Sequence, residues 1–190
     1  PNGDVLVAET NAPARPDGGR GLKSAIMGLV MKLAGAATPS ANRITLLRDS
    51  HGRGVADVRS VLLEGLNSPF GMALVGTDLF VANTDAILRF PYRPGQLRIT
   101  VPGVVVTRLP AGTINHHWTK SLVASADGRT LFVGVGSNSN IAENGLDKET
   151  DRAAILAVDV ATGHTRVFAS GLRNPVGMAW QPDSDALWTV

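Results

Sequence analysis

Gly65-Leu66-Asn67-Ser68-Pro69-Phe70-Gly71-Met72-Ala73 returns later in the chain as Gly171-Leu172-Arg173-Asn174-Pro175-Val176-Gly177-Met178-Ala179, with six of nine positions identical. Each copy is followed by a short run with large apolar residues, Leu79-Phe80-Val81 after the first and Leu187-Trp188-Thr189 after the second. A motif that recurs with its strand attached is the mark of a repeated supersecondary unit.

Working outward, four segments share one pattern: an Asp, Asn or Gly turn, then about five strand-forming residues. The strands are Val5-Leu6-Val7-Ala8-Glu9, Leu79-Phe80-Val81-Ala82-Asn83, Thr130-Leu131-Phe132-Val133-Gly134 and Ala186-Leu187-Trp188-Thr189-Val190. Val5, Leu79, Leu131 and Leu187 are separated by 74, 52 and 56 residues. An atypical stretch, about residues 11–46, accounts for the excess in the first gap. The remaining spacing approaches one four-stranded unit per repeat, the period of propeller blades (~40–50 residues). Ile87-Leu88-Arg89-Phe90 and Ala154-Ile155-Leu156-Ala157-Val158-Asp159 supply further strands. The second runs through the turn Ala161-Thr162-Gly163-His164 into Thr165-Arg166-Val167-Phe168-Ala169. The sequence predicts an all-β chain, a β-propeller of about three to four blades over 1–190. A β-sandwich is the rival that also spaces strands regularly.

The atypical stretch carries helical periodicity. Ala25, Ile26, Leu29, Val30, Leu33 and Ala34 fall on one face, with Lys23 and Lys32 opposite. This predicts a short helical insertion packed on the side of the propeller. At about fifteen residues it is too short to span a bilayer, and membrane association is not expected.

Composition bounds the function. Among 190 residues there are 21 Gly and 11 Pro, which favours many short elements over long helices. A net charge of +2 gives no footprint for nucleic acid. Without cysteine there is no disulfide, thiolate metal site or cysteine nucleophile, and the periplasm and the cytosol suit such a chain equally. The chain opens at Pro1 without Met and stops inside a strand pattern, so a piece truncated at both ends is expected. Three to four blades cannot close a ring, and this piece alone is expected to be inactive, its edge strands open.

Three loops carry reactive side chains. Asn115-His116-His117-Trp118-Thr119-Lys120 offers imidazoles that titrate near neutrality, plus a nearby cation. Its plainer readings are exposed turn histidines or a metal-binding pair, although neighbours on an extended strand point apart and would not share one metal. Arg173-Asn174 changes while the turn frame around it recurs; the guanidinium fork suits a carboxylate or quinone oxygen. Here the plainer reading is surface drift on a structural turn. Gly134-Val135-Gly136-Ser137-Asn138-Ser139-Asn140-Ile141-Ala142-Glu143-Asn144 could hydrogen-bond sugar hydroxyls, or be simply a long loop; it lacks the context of a dinucleotide fingerprint. Asp49 to Asp57 has the outline of a calcium loop, but His51 and Arg53 stand where oxygen ligands are needed, so a hairpin turn is expected.

On these residues the chain resembles the soluble PQQ-dependent glucose/sorbosone dehydrogenase family, six-bladed propellers that use pyrroloquinoline quinone (PQQ) and calcium. It looks closest to the sorbosone dehydrogenase-like branch. The matching features are Pro1 to Glu9, Pro39-Ser40-Ala41-Asn42-Arg43-Ile44, the His116-His117 block, the Gly-Ser-Asn loop and Leu172-Arg173-Asn174-Pro175-Val176-Gly177. The resemblance implies oxidation of an aldose sugar or sugar-derived aldehyde, electrons leaving to an external acceptor, in a periplasmic or secreted protein. It implies His117 as the general base and, with Arg173 and Asn174, as a cofactor contact. Arg173 would steady charge on the quinone oxygen as a hydride reaches the ring. His116, Ser137 and Asn138 would meet the substrate. Ser137 stands where the family carries an acid, a departure. No metal ligand is assigned, because the calcium ligands are expected outside this segment. Two other functions compete: a non-catalytic propeller binding module, and a calcium-dependent lactonase-type propeller hydrolase.

Overall fold

The computed structural model describes residues 3–13, 26, 29, 30, 33 and 40–190. Thirteen strands form four antiparallel sheets among these residues. The first contains β1 (Val5–Glu9), β2 (Arg43–Arg48) and β3 (Val58–Leu63). The second runs β4 (Met72–Val75), β5 (Asp78–Ala82), β6 (Ala86–Pro91) and β7 (Val104–Arg108). The third repeats this with β8 (Leu122–Ala124), β9 (Thr130–Val135), β10 (Ala154–Asp159) and β11 (Thr165–Ser170). The fourth is the pair β12 (Met178–Trp180) and β13 (Leu187–Thr189).

Burial distinguishes the propeller from the sandwich. Side chains alternate across a strand, so a sheet buried on both faces must send apolar residues both ways. In β5, Phe80 and Ala82 pack towards the third sheet with Leu122, Leu131 and Val133, while Leu79 and Val81 pack towards the first with Ile44, Leu46 and Leu62. In β9, Leu131, Val133 and Val135 face back to the second sheet. Phe132 faces forward with Met178, Trp180 and Leu187. Three successive cores between four successive sheets are a stack of blades; a two-sheet sandwich has one. The blades also share a detail: β2, β6 and β10, each next to the last strand of its sheet, carry a register shift, at Ile44/Thr45, Ile87/Leu88 and Ile155/Leu156. Such bulges tighten the strand twist, as blades fanning round an axis require.

The repeat itself acts where each blade begins. Phe70 N donates to Ala82 O and Ala82 N to Gly71 O; Val176 N donates to Val190 O and Val190 N to Gly177 O. Gly134 N donates to Ser121 O in the same relation. Residues 71, 121 and 177 are thus equivalent, and a third copy of the motif spans residues 115–123, with His117 in the place of Arg173. Gly71 is required there: a Cβ would lie 2.4 Å from Leu122 N and 2.6 Å from Lys120 O of the next blade.

Two expectations need correction. Arg43–Leu46, read as the end of the atypical stretch, belong to β2 and pair with β1. Ile26, Leu29, Val30 and Leu33 are helical, but they are 54–81 % exposed; the apolar stripe exists and these side chains are not packed on the propeller side. The rest of that segment, including Lys23, Ala25, Lys32 and Ala34, lies outside the described residues, as do Pro1 and Asn2. The hairpin at Asp49–Asp57 joins β2 to β3, its carboxylates turned onto its own backbone at Ser50 N (2.7 Å) and Gly54 N.

Candidate active site

Because His117 and Arg173 both stand four residues before an equivalent blade-entry position, Ser121 and Gly177, the fold must put them at one end of adjacent blades. The hydrogen bonds confirm this. Ser137, just past β9, donates its N–H to Arg173 O (2.9 Å). Its own carbonyl lies 3.1 Å from His117 Nδ1. Gly136 closes the joint: a Cβ there would meet His117 Cβ at 2.3 Å and Asn174 Oδ1 at 2.5 Å. The base candidate and the Arg-Asn pair therefore share one mouth.

The tautomer of His117 follows from its partners. A carbonyl oxygen only accepts, so Nδ1 carries a proton and donates to Ser137 O. Ser137 Oγ sends its own hydrogen to Ser139 O (2.6 Å) and accepts from His117 Nδ1 (3.0 Å). Nε2, with no hydrogen-bond partner among the described residues, is left with a free lone pair. Burial holds the imidazole pKa below 6.5. The Arg173 and His116 charges act the same way, against the Ser137 carbonyl and the Glu149 carboxylate. The ring is neutral at neutral pH.

His116 is closer to its neighbour than an extended strand allows. The chain bends at 116–117, and the two rings meet edge to face, centroids 5.1 Å apart. Arg173 is exposed at the mouth and gripped by Asn140, through Nε to the main-chain oxygen (3.3 Å) and Nη2 to Oδ1 (2.5 Å). A depression of about 480 Å3 runs beside it along Gly171–Pro175, Thr189 and Val190.

Ser137 and Asn138 serve the protein itself. Both are buried. Asn138 Nδ2 donates to Ile114 O (2.6 Å), and its Oδ1 accepts from Asn144 Nδ2 (3.0 Å). Glu149, on a 3-10 turn (Leu146–Glu149), receives Asn138 N (2.7 Å), Ser139 N (3.2 Å) and Ser139 Oγ (3.0 Å). The residue types suggested a polar sugar-facing loop; the structure turns its first polar side chains inward. Glu149, the anchor of this loop, escaped the sequence reading, since a lone Glu outside any motif gives no local signal. Lys120 likewise is no cation at the mouth. It is fully buried, donates to Trp118 O (3.2 Å), and burial lowers its pKa to about 7. No group of three or more His, Asp or Glu able to hold a metal occurs among the described residues.

Successive antiparallel blades, with His117 and the Arg173–Asn174 pair at one end of neighbouring blades, define a β-propeller. The family model described as TrAA12-like matches residues 40–190, and the chain belongs to that family. Similar solved structures include the holo form of the pyranose dehydrogenase PQQ domain from Coprinopsis cinerea (20% identity, TM-score 0.62, covering 74% of this chain and 37% of that one). The iodide structure of the Trichoderma reesei carbohydrate-active enzymes family AA12 protein has 19% identity and a TM-score of 0.63, covering 79% and 41%. Its calcium structure has 18% identity and a TM-score of 0.62, covering 79% and 42%. This chain thus spans about two-fifths of their length. No curated protein matches it. No helix among the described residues is long and apolar enough to cross a membrane.

Proposed function

We propose that the full-length protein is a PQQ-dependent dehydrogenase of an aldose sugar or sugar-derived aldehyde, working outside the cytoplasm and passing its electrons to an external acceptor. The observation that carries this is the free Nε2 of a neutral His117 beside the Arg173–Asn174 pair at one mouth. The donor set suits a planar quinone: a guanidinium fork and an amide to grip its oxygens, and an imidazole acceptor left over for a substrate proton. Membership of the TrAA12-like family supports the class, and so does the likeness to a structure named as a PQQ domain.

The quinone, when bound, supplies the two-electron acceptor chemistry. His117 Nε2 takes the proton from the substrate hydroxyl, or from the hydrated aldehyde. Ser137 keeps the imidazole oriented by holding Nδ1–H. Arg173 and Asn174 would hold the cofactor oxygens, the guanidinium providing a fixed positive charge beside them. Calcium is a further cofactor of this reading; no side-chain cluster here is assigned to it. The test is dye reduction by full-length protein given PQQ, calcium and a panel of aldoses. Quinone-dependent reduction supports the proposal. Lactone hydrolysis without quinone would establish the hydrolase, and neither activity would leave the binding module.

A further inference from the structure

The equivalence of the blade entries reaches one position beyond His117 and Arg173. Ala82 N bonds Gly71 O as Gly134 N bonds Ser121 O and Val190 N bonds Gly177 O. Four residues before each acceptor stand Asn67, His117 and Arg173. Each neighbouring pair is also tied by a hydroxyl residue. Ser137 joins Arg173 O, through its N–H, to His117. Thr84 joins Asn67 O, through its N–H (3.0 Å), to Trp118 O, through Oγ1 (3.0 Å). Asn67, His117 and Arg173 therefore form one continuous arc over three blades. Leu66, Ser68 and Pro69 around Asn67 are buried, yet Asn67 is exposed. Its amide makes no hydrogen bond with the described residues, whereas His117 Nδ1 and the Arg173 guanidinium are both held.

We propose that Asn67 is the third ligand contact of the mouth and hydrogen-bonds a hydroxyl group of the substrate. The chemistry favours a hydroxyl over a cofactor carboxylate. A primary amide both donates and accepts, as a hydroxyl does; an anion calls for the cationic fork, which sits two blades away at Arg173. The inference rests on the sugar-oxidising reading for its substrate class, and adds the residue that would select among hydroxyl patterns.

The test uses full-length protein and two measurements: ligand-observed NMR titration with an aldose panel, and PQQ-dependent turnover. Asn67→Ala should weaken aldose binding, and raise KM, by about 3- to 10-fold, the loss of one neutral hydrogen bond. PQQ titration and Tm should stay unchanged, and the loss should be greatest for one hydroxyl epimer. Asn67→Asp, which keeps acceptors but removes donors, should recover part of the binding. Unchanged aldose affinity and KM in Asn67→Ala overturns the inference, as does weakened PQQ binding with intact aldose binding, or wild-type protein that binds no aldose. Aldose binding that depends on Asn67 without any quinone turnover would uphold this residue and sink the dehydrogenase reading instead.

Discussion

Ser137 O stands 3.1 Å from His117 Nδ1 and Ser137 Oγ 3.0 Å from the same atom, so both acceptors converge on one imidazole nitrogen. They fix the proton on Nδ1, while burial, against the pull of the Ser137 carbonyl, holds the ring's pKa below the ordinary 6.5. If His117 is the base, as proposed, activity requires the neutral ring, so it should be full at pH 7 and fall as pH drops through that lowered value, with the acid limb of kcat/KM below pH 6.5. Ser137→Asp puts a carboxylate at Nδ1, favours the imidazolium and should move the limb upward. Ser137→Ala leaves the carbonyl bond and should move it much less. A pH–rate profile of the three proteins decides.

His117→Ala removes the imidazole that Gly136 holds against Asn174. Turnover should fall by about 10²- to 10⁴-fold, the usual worth of a general base. PQQ affinity should hold, because Arg173 and Asn174 remain. Cofactor titration alongside single-turnover dye reduction separates the two. Wild-type turnover in this variant would remove His117 from the mechanism.

How far the site was legible in the sequence depends on which residues kept the motif. Gly65–Ala73 and Gly171–Ala179 share Pro and Gly at fixed places because both enter a blade through the same hydrogen bonds, so the repeat and the Arg173–Asn174 variation were visible. The copy at His117-Trp118-Thr119-Lys120-Ser121-Leu122 was not, since Thr119 and Ser121 replace the Pro and Gly. That hid the equivalence of His117 with Arg173, and with it Asn67. β3 and β7 were also missed: Val58–Leu63 and Val104–Arg108 are strands on the far side of their sheets, without the turn-plus-aromatic signature. The inward turn of Ser137 and Asn138 depends on Glu149, eleven residues beyond Asn138 and joined to it only through the fold.

Arg173→Ala should weaken quinone binding by about 10- to 100-fold, the scale of a lost charge-assisted hydrogen bond. Arg173→Lys should recover little, because a single ammonium cannot hold Asn140 at two atoms and a quinone oxygen together. Asn140→Ala releases the guanidinium without removing it, so it should cost less than Arg173→Ala. Fluorescence or absorbance titration with PQQ ranks the three. Equal affinity in wild type and Arg173→Ala would take this residue out of the cofactor site.

Gly136→Ala tests the joint itself. The added methyl meets His117 Cβ at 2.3 Å and Asn174 Oδ1 at 2.5 Å; the Asn174 amide can turn aside, but the His117 Cβ is fixed to the main chain and can retreat only if a blade entry moves. Overpacking of this kind costs about 1–3 kcal/mol. Turnover should fall more than stability accounts for, because the methyl separates base from cofactor pair. Variants of similar Tm elsewhere, such as Leu122→Ala in the core between the second and third blades, should keep a larger share of their activity.

Lys120 allows a prediction about folding rather than catalysis. Its ammonium is fully buried. Burial first, and then the Arg152 charge, lower its pKa from 10.5 to about 7, against the pull of Asp85. Between pH 7 and 10.5 the unfolded chain therefore holds a proton on Lys120 that the folded chain has released. Since stability rises with pH wherever the unfolded state binds more protons, this residue makes the fold more stable on going from pH 7 to 9, by up to ~1.4 kcal/mol per pH unit. Lys120→Met keeps the volume and removes the proton, so the slope it contributes should vanish and stability at pH 6 should rise. Urea denaturation of both proteins at pH 6, 7.5 and 9 measures this. Parallel stability curves would show that Lys120 keeps its charge in the folded protein.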